Sequence, residues 1–165
     1  MTEFSNITMI TLDGAEGFTL RPMSDTDLNR VLVLEKATNP HPWTLGNLQN
    51  SLSTGDACWV LEHGEELAGY GVTMVAADEG TILNIAIAPA FQKQGLGQKL
   101  LEFLVSGAKQ RGANVMFLEV RVSNHKAIGL YLKSDFSEVG IRKNYYPAAK
   151  GSEDAIVMMR DLSFD

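Results

Sequence analysis

Glu119 and Tyr131 are two side chains whose types can do acid–base chemistry, and they stand twelve residues apart. Around Glu119 the chain alternates: Met116, Leu118, Val120 and Val122 fall on one face of a strand, and Phe117, Glu119 and Arg121 on the other. A carboxylate in the middle of a strand expected to be buried needs a partner or a task. One reading gives Glu119 a task in acid–base chemistry; the other pairs it with Arg121 or another basic group. A tyrosine, with an ordinary pKa of about 10, can serve as a weak acid. On spacing alone, however, Tyr131 reads as packing on a helix.

A second constellation suits phosphate. Residues 84–101, NIAIAPAFQKQGLGQKLL, begin as an apolar run (Ile85, Ala86, Ile87, Ala88), stop at Pro89 and resume as a helix bearing Leu100, Leu101 and Leu104. Between them lies Gln92-x-x-Gly95-x-Gly97. Two glycines let the backbone approach a ligand closely, and the amides opening the helix point outward with the positive end of its dipole. An unrelated tight turn explains Gly-x-Gly as well. The dinucleotide fingerprint is missing, since position 100 is Leu, and so is the Gly-x-x-x-x-Gly-Lys-Ser/Thr loop.

Composition narrows the chemistry further. The chain has 165 residues, 45% of them apolar, which suffices for one domain with a real core. Its 14 basic and 20 acidic side chains give a net charge of -6 with no Lys/Arg tract, so direct nucleic-acid binding is not expected. Surplus negative charge suits a basic substrate. His41, His63 and His125 are isolated and Cys58 is the only cysteine, so neither a metal site nor a disulfide is expected. Cys58 lies in the apolar run Ala57-Cys58-Trp59-Val60-Leu61 and reads as structural. The amino terminus has no signal-like pattern and no run approaches membrane-spanning length, so a cytoplasmic protein is expected.

The elements that must position these groups can be read in order. Residues 1–17, with Ile7, Met9 and Leu12, read as a lead-in or short edge strand; residues 18–161 read as one domain. A strand carrying Phe18 and Leu20 closes at Pro22, and Ser24 with Asp27 opens a helix that ends before Pro40. Asn39-Pro40-His41-Pro42-Trp43 is irregular, and Thr44 caps a second helix. Trp43 either packs over the core or faces substrate. Strands over 57–62 and 67–75 form a hairpin, and a strand over 81–88 feeds the loop. A helix over 95–110 crosses to the parallel strand at 115–122, and Asn124 caps the helix holding Tyr131. Strands over 136–142 and 155–160 finish the chain, joined by a loop over 143–154 that contains Asn144, Tyr145, Tyr146 and Pro147. The class is α/β, a mixed sheet of six to seven strands with helices on both faces.

The strand, Gln-x-x-Gly-x-Gly loop and helix, followed by the strand of Glu119 and the helix of Asn124 and Tyr131, resemble the GNAT N-acetyltransferase family over residues 18–159. Leu118-Glu119-Val120-Arg121 with Ser123-Asn124, Ala127-Ile128-x-Leu130-Tyr131, and Arg142-Lys143-Asn144-Tyr145-Tyr146-Pro147 with Glu153-Asp154-Ala155 are similar to its branch that acetylates protein amino termini, and within that branch to enzymes acting on the terminal alanine of a bacterial small-subunit ribosomal protein. The resemblance implies acetyl-CoA as cosubstrate. Ile85, Ala86 and Ile87 would lie along the pantetheine arm with Asn124, although capping also explains Asn124. Gln92, Lys93, Gln94, Gly95, Leu96, Gly97 and Gln98 would hold the pyrophosphate. It further implies Glu119 as general base, Tyr131 as general acid, and Trp43, Asn84, Tyr145 and Tyr146 around the acceptor. Direct attack without an acyl-enzyme, no metal, no membrane, and a monomer or weak homo-oligomer complete the expectation. A small-amine or polyamine acetyltransferase and a noncatalytic coenzyme A binding module remain open beside it.

Overall fold

The fold is that of a computed structural model in which residues 9–164 are described. It is α/β, with one mixed sheet of eight strands in the order β1-β2-β3-β4-β5-β6-β8-β7 and four α-helices. The strands are β1 (Ile10–Thr11), β2 (Phe18–Pro22), β3 (Ala57–His63), β4 (Glu66–Ala76), β5 (Glu79–Ile87), β6 (Val115–Arg121), β7 (Ser137–Pro147) and β8 (Ser152–Asp161). The helices are α1 (Leu28–Thr38), α2 (Leu45–Ser53), α3 (Leu96–Gln110) and α4 (His125–Lys133). Seven strands follow the sequence reading. The eighth is β1, a two-residue piece antiparallel to β2. The lead-in expected over residues 1–17 includes Ile7, which lies outside the described residues.

Two compact units can be distinguished. The first holds residues 9–72 with 85–100, and the second residues 73–84 with 101–164. In the first unit, Ser24 and Asp27 form a capping box at a short 3-10 turn that leads into α1. Thr44 and Asn47 do the same for α2, a device worth about 1 kcal/mol. Arg21, Asp27, Arg30 and Glu62 make a charge quartet that ties β2, α1 and β3 together, with Arg21–Asp27 at 2.7 Å and Arg30–Glu62 at 2.7 Å. Burial alone would raise the Asp27 carboxyl. Hydrogen bonds from Arg21, the Ser24 amide and Arg30 outweigh it and hold the group well below the usual carboxylate range.

In the second unit, Met116, Leu118 and Val120 turn into the core as the alternation requires, joined by Ile156 and Met158 of β8. β5 and β6 are parallel, in register from Glu79 opposite Val115 to Ile82 opposite Leu118. Both strands continue past that last pair, β5 to Ile87 and β6 to Arg121. Gly80 is required by close packing: a β-carbon there would stand 2.5 Å from the Met116 sulfur.

The loop expected over 143–154 is corrected. β7 runs through Pro147 and β8 begins at Ser152, leaving a tight turn over 148–151. Consecutive polar residues and a proline made this stretch look irregular, but β7 is the sheet edge, where proline removes no central ladder bond. A bulge absorbs the irregularity: β7 advances from Arg142 to Tyr146 while β8 advances only from Ala155 to Glu153. Asn144 takes φ +56° there, donates its amide to Asp154 Oδ1 at 2.9 Å and accepts at its own Oδ1 from the Ser152 hydroxyl at 3.0 Å.

Candidate active site

In the first unit, the end of β5 runs through a loop into α3. An apolar run reads alike as a buried parallel strand or as one open to a ligand. Residues 85–88 are all partly exposed, an apolar strand end left open along its length. β4 approaches it closely, with Ala88 N–H donating to the Ala68 carbonyl at 2.7 Å. After Pro89, a 3-10 turn over Pro89–Phe91 seats Phe91 against Phe18 and His63, with ring centroids 5.7 Å from each. Gln92 folds back so that its Nε2 donates to the Ile87 carbonyl at 2.9 Å, which closes the loop.

Lys93 and Gly95 then adopt φ +67° and +78°, the left-handed conformations that turn successive amides toward one side of a loop. Lys93, Gln94, Gly95 and Gln98 are exposed, and Gly97 lies half-buried in the first turn of α3. Leu96 differs: its side chain is core, so only its backbone, at the first helical position, faces the loop. Trp43, in the same unit, is held by its amide, which donates to Glu35 Oε2 at 2.8 Å. Glu35 is fully buried and also accepts from the Tyr70 hydroxyl at 2.8 Å and from Asn39. The irregular stretch over 39–43 is thus pinned by one helical carboxylate. The signal was an acid at a core position of α1.

In the second unit, strand register gathers charged and aromatic side chains around Glu119. Glu119 lies opposite Val157 of β8, which lies opposite Gly140 of β7. One row on, Arg121, Ala155 and Arg142 align, and beyond the bulge Glu153 faces Tyr146. Opposed residues share a sheet face, so Glu119, Arg121, Arg142, Tyr146 and Glu153 all lie on the face away from the Met116–Leu118–Val120 side. Arg142 Nε donates to Glu119 Oε1 at 2.8 Å. Arg121 is engaged elsewhere: it donates to the Pro147 carbonyl at 2.7 Å, pairs with Glu153 at 3.2 Å and stacks over the Tyr146 ring at 4.4 Å. The partner expected for Glu119 therefore exists, and it is Arg142. Reading the pairing required the β6–β8–β7 register, which no local pattern carries.

Two tyrosines, Tyr145 and Tyr146, act on this carboxylate, and a third, Tyr131, lies near Tyr146. The Tyr145 hydroxyl hydrogen-bonds to Glu119, which raises its pKa along with burial. Tyr146 meets Tyr145 edge-on at 4.9 Å and is pushed up to about 12 by burial and by the Glu119 charge. Tyr131, on α4, is buried beside Phe136 with ring centroids 5.9 Å apart. Burial, and Tyr146 nearby, raise it well above an ordinary tyrosine. Asn124 caps α4, its Oδ1 accepting from the Ala127 amide at 3.2 Å. Asn84, at the close of this unit's share of β5, is half-buried.

Two further features bear on the chemistry. Cys58 is 6% exposed in β3, and burial together with the Asp56 charge pushes its thiol up to about 11. Among the described residues, no group of three or more His, Cys, Asp or Glu is arranged to hold a metal ion, and no helix is long and apolar enough to cross a membrane.

The model of the Acetyltransferase (GNAT) family matches residues 28–136. The chain is a GNAT acetyltransferase. It is 37% identical over 145 residues to the [ribosomal protein bS18]-alanine N-acetyltransferase of Escherichia coli, spanning 88% of this chain and 98% of that one. The crystal structure of the ribosomal-protein-S18-alanine N-acetyltransferase from Escherichia coli superposes with a TM-score of 0.82 at 37% identity, covering 88% of this GNAT chain and 94% of its own. A GNAT family acetyltransferase from Elizabethkingia anophelis, solved with acetyl-CoA bound, matches at TM-score 0.73 and 25% identity over 90% of this chain and all of that one.

Proposed function

We propose that this acetyltransferase moves the acetyl group of acetyl-CoA onto the free α-amino group of an N-terminal alanine, with ribosomal protein bS18 as its acceptor. The observation that carries the acceptor is the likeness to the Escherichia coli bS18-alanine N-acetyltransferase, which runs nearly end to end in that enzyme. Residues 18–161 are taken as the catalytic domain, with 1–17 as an accessory lead-in.

Acetyl-CoA suits the residues present. The partly exposed apolar strand end over 85–88 offers a surface for an aliphatic arm, and the left-handed backbone at Lys93 and Gly95, leading into α3, suits a pyrophosphate. Bound there, it would supply an activated acetyl thioester. Ile85, Ala86 and Ile87 would contact the arm with Asn124, and residues 92–98 the phosphates.

Glu119 then takes a proton from the acceptor ammonium, which has an ordinary pKa of about 8, so that the neutral amine can attack. Tyr145 holds the carboxylate by its hydroxyl, and Tyr146 beside it lines the path of an extended peptide. Tyr131 keeps its proton through neutral pH because burial raises it. Burial also makes it a weaker acid than free tyrosine, which favours hydrogen-bond donation to the departing sulfur over complete proton transfer.

The test is acetyl transfer read by intact-mass spectrometry on three acceptors: an Ala-Arg peptide, the same peptide with a blocked terminus, and spermidine. One acetyl group gained by the open peptide alone supports the reading, and Glu119→Gln should then lower kcat about 100- to 10,000-fold. Transfer to spermidine alone would replace the ribosomal acceptor with a polyamine. Binding of acetyl-CoA without transfer to any acceptor would point to a noncatalytic module.

A further inference from the structure

The geometry points to Arg142 as an internal stand-in for the acceptor: we propose that its guanidinium occupies Glu119 in the resting enzyme and is exchanged for the incoming ammonium when acceptor binds. The proposal rests on reading Glu119 as the base. It deepens that reading by assigning what governs access to the carboxylate.

Glu119 Oε1 accepts from Arg142 Nε at 2.8 Å, and the Tyr145 hydroxyl bonds to the same carboxylate. The Glu119 side chain is 24% exposed, so a second cation can reach it from solvent. A guanidinium and an ammonium drawn to one carboxylate compete for its charge and its acceptor positions, so the Arg142 pair on Oε1 opposes acceptor binding until it gives way. Arg142 is built to let go. Its side chain is 58% exposed, and an ion pair of that kind is equivalent to a factor of at most about five in an equilibrium constant.

Arg121, two residues from Glu119, makes the contrast. It is 15% exposed and fixed by Pro147, Glu153 and the Tyr146 ring together. Of the two arginines on this face, one is locked and the other exchangeable. The bulge after Arg142 also places the Tyr145 ring 5.4 Å from its guanidinium, which offers the cation a resting place once it has left Glu119. Gly140, one row from Arg142 on the same face, has no atom within 4 Å of where a β-carbon would be, so the arginine stem has room to swing.

Initial-rate kinetics on the full chain test this, with acetyl-CoA and the Ala-Arg peptide each varied for wild type, Arg142→Gln, Arg142→Lys and Glu119→Gln. Arg142→Gln should lower the peptide KM about two- to fivefold and leave the acetyl-CoA KM unchanged. Arg142→Lys, which keeps the competing cation, should hold the peptide KM close to wild type. General damage to the fold does not tighten one substrate alone. A peptide KM that is unchanged or raised in Arg142→Gln overturns the proposal. Glu119→Gln separates the two readings. If it abolishes turnover while Arg142→Gln leaves the peptide KM unmoved, the base stands and the exchange falls. If Glu119→Gln turns over at the wild-type rate, the base assignment fails and takes the exchange with it.

Discussion

Gly69 lies so close against Ala86 that a β-carbon on it would stand 2.7 Å from the Ala86 carbonyl oxygen and 2.9 Å from the Ile87 side chain. The first neighbour is backbone and cannot rotate away. Gly69→Ala must therefore push β4 from β5 at the stretch assigned to the pantetheine arm. We expect it to lower stability by about 1–3 kcal/mol, as overpacking commonly does, and to weaken acetyl-CoA binding more than peptide binding. Thermal melts with and without acetyl-CoA check this: the ligand-induced rise in Tm should shrink.

The charge quartet predicts acid behaviour. Asp27 titrates below 3.8 in the folded protein, so its contribution is present above that value and is lost as pH falls through the lower folded one. Asp27→Asn strands Arg21 and Arg30 with Glu62 as their remaining quartet partner. It should reduce stability at pH 7 by about 3 kcal/mol and flatten the loss between pH 4 and 2. Urea titrations at several pH values measure both.

At the alkaline end the tyrosines act with the opposite sign. Tyr146 ionises near 10 when unfolded and at about 12 when folded, so the folded form retains a proton that the unfolded chain releases. Stability should fall as pH rises from 10 to 12. Tyr146→Phe removes that group's share, and its denaturation midpoint should depend less on pH over this window.

Cys58 should be silent in catalysis. Its thiol is buried and raised to about 11, so alkylation of the folded protein by iodoacetamide at pH 8 should be far slower than after denaturation. Cys58→Ala should keep kcat within about twofold while lowering Tm. A loss of turnover in that variant would reopen an acyl-enzyme route.

Most elements were legible because each carried a local mark. Ser24 with Asp27, and Thr44 alone, announced two helix starts, and the alternation around Glu119 announced β6. What stayed hidden was non-local or polar. β7 failed to read as a strand through Pro147 because its irregularity is a bulge on a sheet edge, which looks like a loop in one dimension. The Arg142 pairing depends on a register passing through Val157 and Ala155 of a third strand, and Glu35 on a loop folding back over its own helix. The openness of residues 85–88 was equally invisible, since an apolar run reads alike whether neighbours cover it or not.

The bulge between Arg142 and Tyr146 separates two properties that a regular hairpin would bind together. Glu119 sits on an interior strand whose register is fixed by β8 along its whole length. The residues that crowd its carboxylate come from an edge segment whose length is free to change, because extra residues there disturb no further strand. Insertions or deletions over 143–145 can thus change what surrounds the Glu119 carboxylate while Glu119 itself stays where it is. In such a scaffold the surroundings of a carboxylate can drift quickly and its position slowly.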